Sequence, residues 1–127
     1  MSKQYQRHHL TAIIRNKHGG ILAIGKNSYI KTHPMMSKIA ARIGIFDNKR
    51  TFIHAEIDAL VKCDNLSKAY SIEIYGHTTS GNPGINTKPC PICMTGIRCS
   101  GIKKVIYMNE NLELVCDDVS PTRGALK

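Results

Sequence analysis

His54 and Glu56 stand two residues apart in the stretch Thr51-Phe52-Ile53-His54-Ala55-Glu56-Ile57-Asp58-Ala59-Leu60, an imidazole and a carboxylate at the head of an amphipathic run. Residues at i and i+2 lie on roughly opposite sides of a regular helix, so the two share one site only where a helix begins. Ile57, Leu60 and Val61 then recur at helical spacing and form an inward stripe, with Lys62, Asp64 and Asn65 as a polar end. The complementary half is Lys88-Pro89-Cys90-Pro91-Ile92-Cys93, followed by Met94 to Gly101. Proline is tolerated in the first helical turn, so Pro91 opens a second helix and Gly101 stops it. Cys90 and Cys93, three apart, lie on one side of that first turn and can hold one ion together. The positive end of the helix favours their thiolate form.

Charge arithmetic points to zinc. Two thiolates and a neutral imidazole cancel the charge of Zn²⁺, and three protein ligands leave a fourth tetrahedral position for water. Such a metal supplies hydroxide near neutral pH, and Glu56, close but not ligating, can take the proton and pass it to a substrate nitrogen. His54, Cys90 and Cys93 are therefore the expected metal ligands and Glu56 the expected catalytic group. A C-x-x-C by itself is often half of a structural zinc ribbon or a redox pair, and a lone H-x-E is weak. Cys63, Cys99 and Cys116 form no second close pair, so they read as core or surface residues.

His54-Ala55-Glu56 with Pro89 to Cys93 resembles the H-x-E…P-C-x-x-C signature of zinc-dependent nucleobase deaminases. The similarity to the cytidine/deoxycytidylate deaminase superfamily runs in order of elements from roughly Leu10 to Cys116. It implies zinc on His54, Cys90 and Cys93, and a proton shuttle at Glu56. Histidine rather than cysteine as first ligand points away from free-cytidine deaminases, toward the deoxycytidylate, transfer-RNA adenosine, guanine and polynucleotide cytidine branches. The Asn27-Ser28…Thr32-His33-Pro34 pattern resembles short, phage-type deoxycytidylate deaminase-like proteins. The resemblance makes Asn27 a candidate sugar or base-edge contact, with turn-holding as its alternative role. His33 is a weaker candidate for the phosphate or base, and the backbone N–H groups at the helix starts, Ala55 included, for the ring carbonyl.

The elements that must position these groups follow from patterning. Leu10 to Arg15 and Ile21 to Gly25 read as a hairpin around Asn16 to Gly20, Met35 to Ile43 as a short helix, and Ser71 to His77 as a third strand. Ile102 to Met108 and Leu112 to Cys116 are a fourth and fifth, joined by a link too short for a crossover helix and hence antiparallel. This departs from superfamily branches with a helix between those strands. Thr78 to Lys88 is a long Gly/Asn/Pro/Thr-rich loop, read as a substrate lid or an ordinary surface excursion, and Lys49 and Arg50 as basic residues that could reach a phosphate. The expected fold is a three-layer α/β, cytidine deaminase-like domain. It has a mixed five-stranded sheet in the order 2-1-3-4-5, both zinc helices on one face, and a terminal antiparallel hairpin.

The 127 residues suit one domain with a single core, with 1–8 and 117–127 as loose termini. No apolar run at the start suggests a secretory signal, no stretch approaches membrane-spanning length, and the odd count of five cysteines suits a reducing compartment, so a cytoplasmic location is expected. Eighteen Lys and Arg against nine Asp and Glu give a formal charge of +9, favouring anionic partners or simply solubility. A small nucleotide is the expected substrate, deaminated at cytosine. Cytosine or adenine in single-stranded DNA or RNA is the alternative, weakened by an aromatic content of 6 % without tryptophan, and the metal site is indifferent to whether cytosine, adenine or guanine enters. A non-catalytic zinc-stabilised binding module is a further alternative, against which Glu56 argues. The family resemblance also implies a homo-oligomer.

Overall fold

Alternating apolar residues build the sheet. His8–Arg15 (β1) pairs antiparallel with Ile21–Lys26 (β2) on one side and with Ser71–Thr78 (β3) on the other. Lys104–Met108 (β4) runs parallel to β3, and Leu114–Asp118 (β5) returns antiparallel to β4, giving the order β2-β1-β3-β4-β5. A computed structural model describes residues 8–28, 30–44, 53–80 and 85–120; Lys49 and Arg50, and residues 1–7 and 121–127, lie outside them. β1 begins at His8 and β5 reaches Asp118, inside the margins assigned to loose termini.

Among the described residues three α-helices accompany the sheet: Pro34–Arg42 (α1), Ala55–Lys62 (α2) and Pro91–Ser100 (α3). Parallel neighbours need a crossover, and α3 supplies it between β3 and β4. Ala12 and Ile14 of β1, Ile72 and Ile74 of β3, and Val105 and Tyr107 of β4 are buried on one face with Ala55 and Ala59 of α2 and Ile97 of α3. The register sets Ile14 opposite Ile72 and Ile72 opposite Val105, so one apolar band crosses the three central strands. A second cluster, Met36, Ile39, Ile53, Ile57 and Cys93, joins α1 to α2 and α3. On the other face Arg15 pairs with Glu73, which also accepts from the Tyr75 hydroxyl at 2.6 Å, and Ile24 is 47 % exposed.

The approach of α2 to β2 depends on Gly25. A Cβ there would fall inside van der Waals contact of the Ala59 amide nitrogen and the Ala55 carbonyl oxygen, and 2.7 Å from the Ala59 Cα. All three are backbone atoms and cannot swing away. Asp58 adds a polar tie, accepting from the Lys26 amide at 2.9 Å and from Lys62 Nζ at 2.8 Å. Among the described residues no helix is long and apolar enough to cross a membrane.

Candidate metal centre

Both halves of the site are helix starts. His54 is the N-cap of α2 and Cys90 the N-cap of α3, with Pro91 in the first turn, and neither side chain makes a capping hydrogen bond. Cap side chains ordinarily accept from the first-turn amides; here they are turned to another use. Gly101, at φ 86°, ends α3 in the left-handed region that suits glycine.

Flanking segments fix where those starts stand. Ile53, just before His54, donates to the Lys31 carbonyl at 2.9 Å and accepts from the Ser28 amide at 3.0 Å. The strand leading out of β2 therefore holds the residue next to the imidazole. Ahead of the cysteines, buried Thr87 bridges two strands: its hydroxyl donates to Ile74 O and accepts from Met108 N, each at 2.8 Å, and its amide donates to Met108 O at 2.8 Å. Three bonds thus clamp the approach to Cys90 across β3 and β4. Ile85 is buried as well, so the end of the long loop is packed into the fold; residues 81–84 lie outside the described part.

His54 Nδ1 lies 3.4 Å from Cys90 Sγ and 3.3 Å from Cys93 Sγ, and the three ligand atoms all fall within 4.8 Å of one another. One ring nitrogen carries either a proton or a lone pair, so it cannot satisfy two sulfurs by ordinary hydrogen bonds. A tetrahedral zinc with bonds of about 2.3 Å to sulfur and 2.0–2.1 Å to nitrogen sets those atoms roughly 3.5 Å apart. The observed separations fit that ion. Cys63 is buried, Cys99 half-buried and Cys116 exposed, and none joins the group.

Glu56 is 3 % exposed, and its Oε1 is the only buried side-chain oxygen or nitrogen without a partner among the described residues. Burial pushes the carboxyl above the usual carboxylate range, with its own backbone amide pulling it partly back. The Cys93 thiol, donating to Cys90, holds Cys90 down at about 4 against the opposing effect of burial, and nearby His54 lowers it further. Cys93 is pushed up by sharing its proton with Cys90 and by burial. The Cys90 sulfur raises His54, again against burial. Zinc binds cysteine as thiolate, so its binding at this pair would be coupled to proton release.

The other residues singled out in the sequence occupy defined places. Ala55 is fully buried at the first position of α2. The Asn27 side chain accepts from the Leu10 amide at 2.8 Å and donates to the His8 carbonyl at 2.9 Å, stitching the end of β2 to β1. His33 caps α1, its Nδ1 accepting from the Met35 amide at 3.0 Å. Thr87 and Gly25 escaped sequence reasoning: a threonine in a polar loop and a glycine at a strand end carry no motif, and their roles exist only once distant segments meet.

A family model described as the cytidine and deoxycytidylate deaminase zinc-binding region matches residues 1–109. No curated protein gives a significant match.

Proposed function

Because the chain belongs to the cytidine and deoxycytidylate deaminase family, we propose that it hydrolyses the exocyclic amine of cytosine in a small nucleotide of the deoxycytidylate type. The observation carrying this reading is the buried, unpartnered Glu56 Oε1 beside three convergent metal ligands. A purely structural zinc site has no use for a desolvated carboxylate, whose unsatisfied oxygen costs about 1–3 kcal/mol.

His54, Cys90 and Cys93 would hold the zinc, and the ion would supply Lewis acidity toward a water near neutral pH. Glu56 takes one proton from the attacking water on Oε1 and delivers it to the ring nitrogen as the C4–O bond forms, then carries the remaining hydroxyl proton to the exocyclic amine. The bond from C4 to that amine breaks, and ammonia and the uracil nucleotide leave. The raised affinity of Glu56 for a proton suits a group that must both accept and return one. The first four amides of a helix have no intrahelical acceptor, so the Ala55 N–H is the proposed donor to the ring carbonyl. Asn27 keeps one amide N–H and one carbonyl lone pair beyond its two bonds to β1, which suits a sugar hydroxyl. His33, with Nδ1 accepting, carries its proton on Nε2 when neutral and offers it to the phosphate.

The formal charge of +9 favours a second reading, cytosine within single-stranded DNA or RNA. Ammonia release on deoxycytidylate and on a cytosine-containing oligonucleotide, each at low and high salt, separates the two. The account expects turnover of the mononucleotide with weak salt dependence. Turnover of the oligonucleotide alone, falling steeply with salt, contradicts the small-substrate assignment.

A further inference from the structure

At the end of β1, β2 and β3, the strand register gathers a second set of polar side chains. His9 lies opposite His77, and Thr11 opposite both Lys26 and Tyr75. Side chains alternate between faces, so His9, Thr11, Lys26 and His77 project from the face opposite to Ala12 and Ile14. With Thr79 they line a depression of ≈ 260 Å³, bordered by Asn27. The His9 and His77 rings are stacked, with centroids 5.2 Å apart and planes 25° from parallel, and His9 Nε2 lies 3.3 Å from Thr79 Oγ1.

No acidic residue lines this depression, and the nearby carboxylates are engaged elsewhere: Asp58 by the Lys26 amide and Lys62, Glu73 by Arg15 and Tyr75. The Lys26 ammonium has no carboxylate partner among the described residues. An ammonium, two imidazoles and two hydroxyls make a donor set for a multiply charged oxyanion, while a transition metal prefers ligands without an adjacent ammonium. The volume falls below the roughly 300–1,000 Å³ of pockets for whole small molecules, which suits one group rather than an entire nucleotide.

We propose that the depression formed by His9, Thr11, Lys26, His77 and Thr79 binds a phosphate group, presented either as a free phosphate or phosphomonoester or as the phosphodiester of a single strand. It is independent of the deaminase reading, because its test reads binding and not turnover.

The imidazole proton and carbon resonances of His9 and His77 report it directly in the zinc-loaded full chain. Inorganic phosphate and oligothymidylate are titrated separately into the wild type, Lys26→Gln and His77→Asn, with zinc content and thermal midpoint confirming that each variant is folded. Both rings should shift with saturation, and each substitution should weaken binding about tenfold, the scale of one charge-assisted hydrogen bond. Oligothymidylate binding far tighter than phosphate, and lost steeply between roughly 50 and 200 mM salt, assigns the group to a nucleic-acid backbone. Equal or weaker binding assigns it to a free phosphate or mononucleotide. Rings that stay unmoved by either ligand to tens of millimolar, or affinities unchanged in both variants, overturn the proposal.

Discussion

Glu56 concentrates the conflict between folding and chemistry in one side chain. It is desolvated, raised in proton affinity, and keeps an oxygen without a partner. Glutamine preserves its shape while removing the ionisable group. Glu56→Gln should therefore keep its zinc and melt no lower than the wild type in calorimetry; a fall of more than about 1 kcal/mol would show that the carboxylate stabilises the fold. Thr87 is the opposite case, a side chain whose value is positional. Thr87→Val keeps the volume but strands the Met108 amide and the Ile74 carbonyl, and should cost about 1–3 kcal/mol in denaturant melts while weakening zinc affinity. Undiminished stability and zinc affinity would remove Thr87 from the scaffold of the site. The contrast also marks what sequence can reveal at this scale. His54, Cys90 and Cys93 announce themselves because metal chemistry restricts both residue type and spacing. Thr87, and the bonds from Asn27 to β1, depend on partners 13 to 21 positions away that no local pattern names.

Between elements, the site depends on how closely α2 can lie on β2. Gly25→Ala directs a methyl group into the backbone of Ala55 and Ala59, whereas a methyl at Gly96 meets side-chain ends, the nearest being Ile57 Cδ1 at 2.9 Å. Overpacking against backbone should sit at the upper end of the usual range of about 1–3 kcal/mol, and against movable side chains at the lower end. Gly25→Ala should thus destabilise more than Gly96→Ala in paired denaturant melts, and only the former should loosen zinc at His54; the reverse order contradicts the packing described. The elements themselves were legible, because period-two and helical spacings survive in the strands and in α1 to α3. The short link after β4 revealed an antiparallel hairpin. Boundaries were less so. β4 and β5 each start two residues later than their apolar runs suggest, and a single 3₁₀ turn at Leu66–Lys68 follows α2, set by local hydrogen bonding that hydropathy does not record.

For the whole molecule, the metal joins two halves. His54 follows from the β1–β2 hairpin through α1, whereas Cys90 and Cys93 hang from β3 and β4, so zinc cross-links segments 36 and 39 residues apart. An ion present at about a thousandfold its dissociation constant stabilises by about 4 kcal/mol. For a chain of this size, that corresponds to roughly 10–25 °C in thermal midpoint. Chelation should lower the midpoint by that amount and zinc readdition should restore it; an unchanged midpoint would mean that the ligands are held by packing alone. The charge of +9 says less, because it is compatible with a nucleotide, a nucleic acid or plain solubility. Substrate choice was for that reason not legible: the metal site is blind to what carries the base. The most direct test of the central claim is ammonia release from deoxycytidylate by zinc-loaded protein, compared with zinc-loaded Glu56→Gln. Turnover by the wild type is expected, with a loss of about 10²–10⁴-fold in the variant, the usual contribution of a positioned acid–base group. Equal rates in the two proteins, or no ammonia from deoxycytidylate with zinc fully bound, would contradict it.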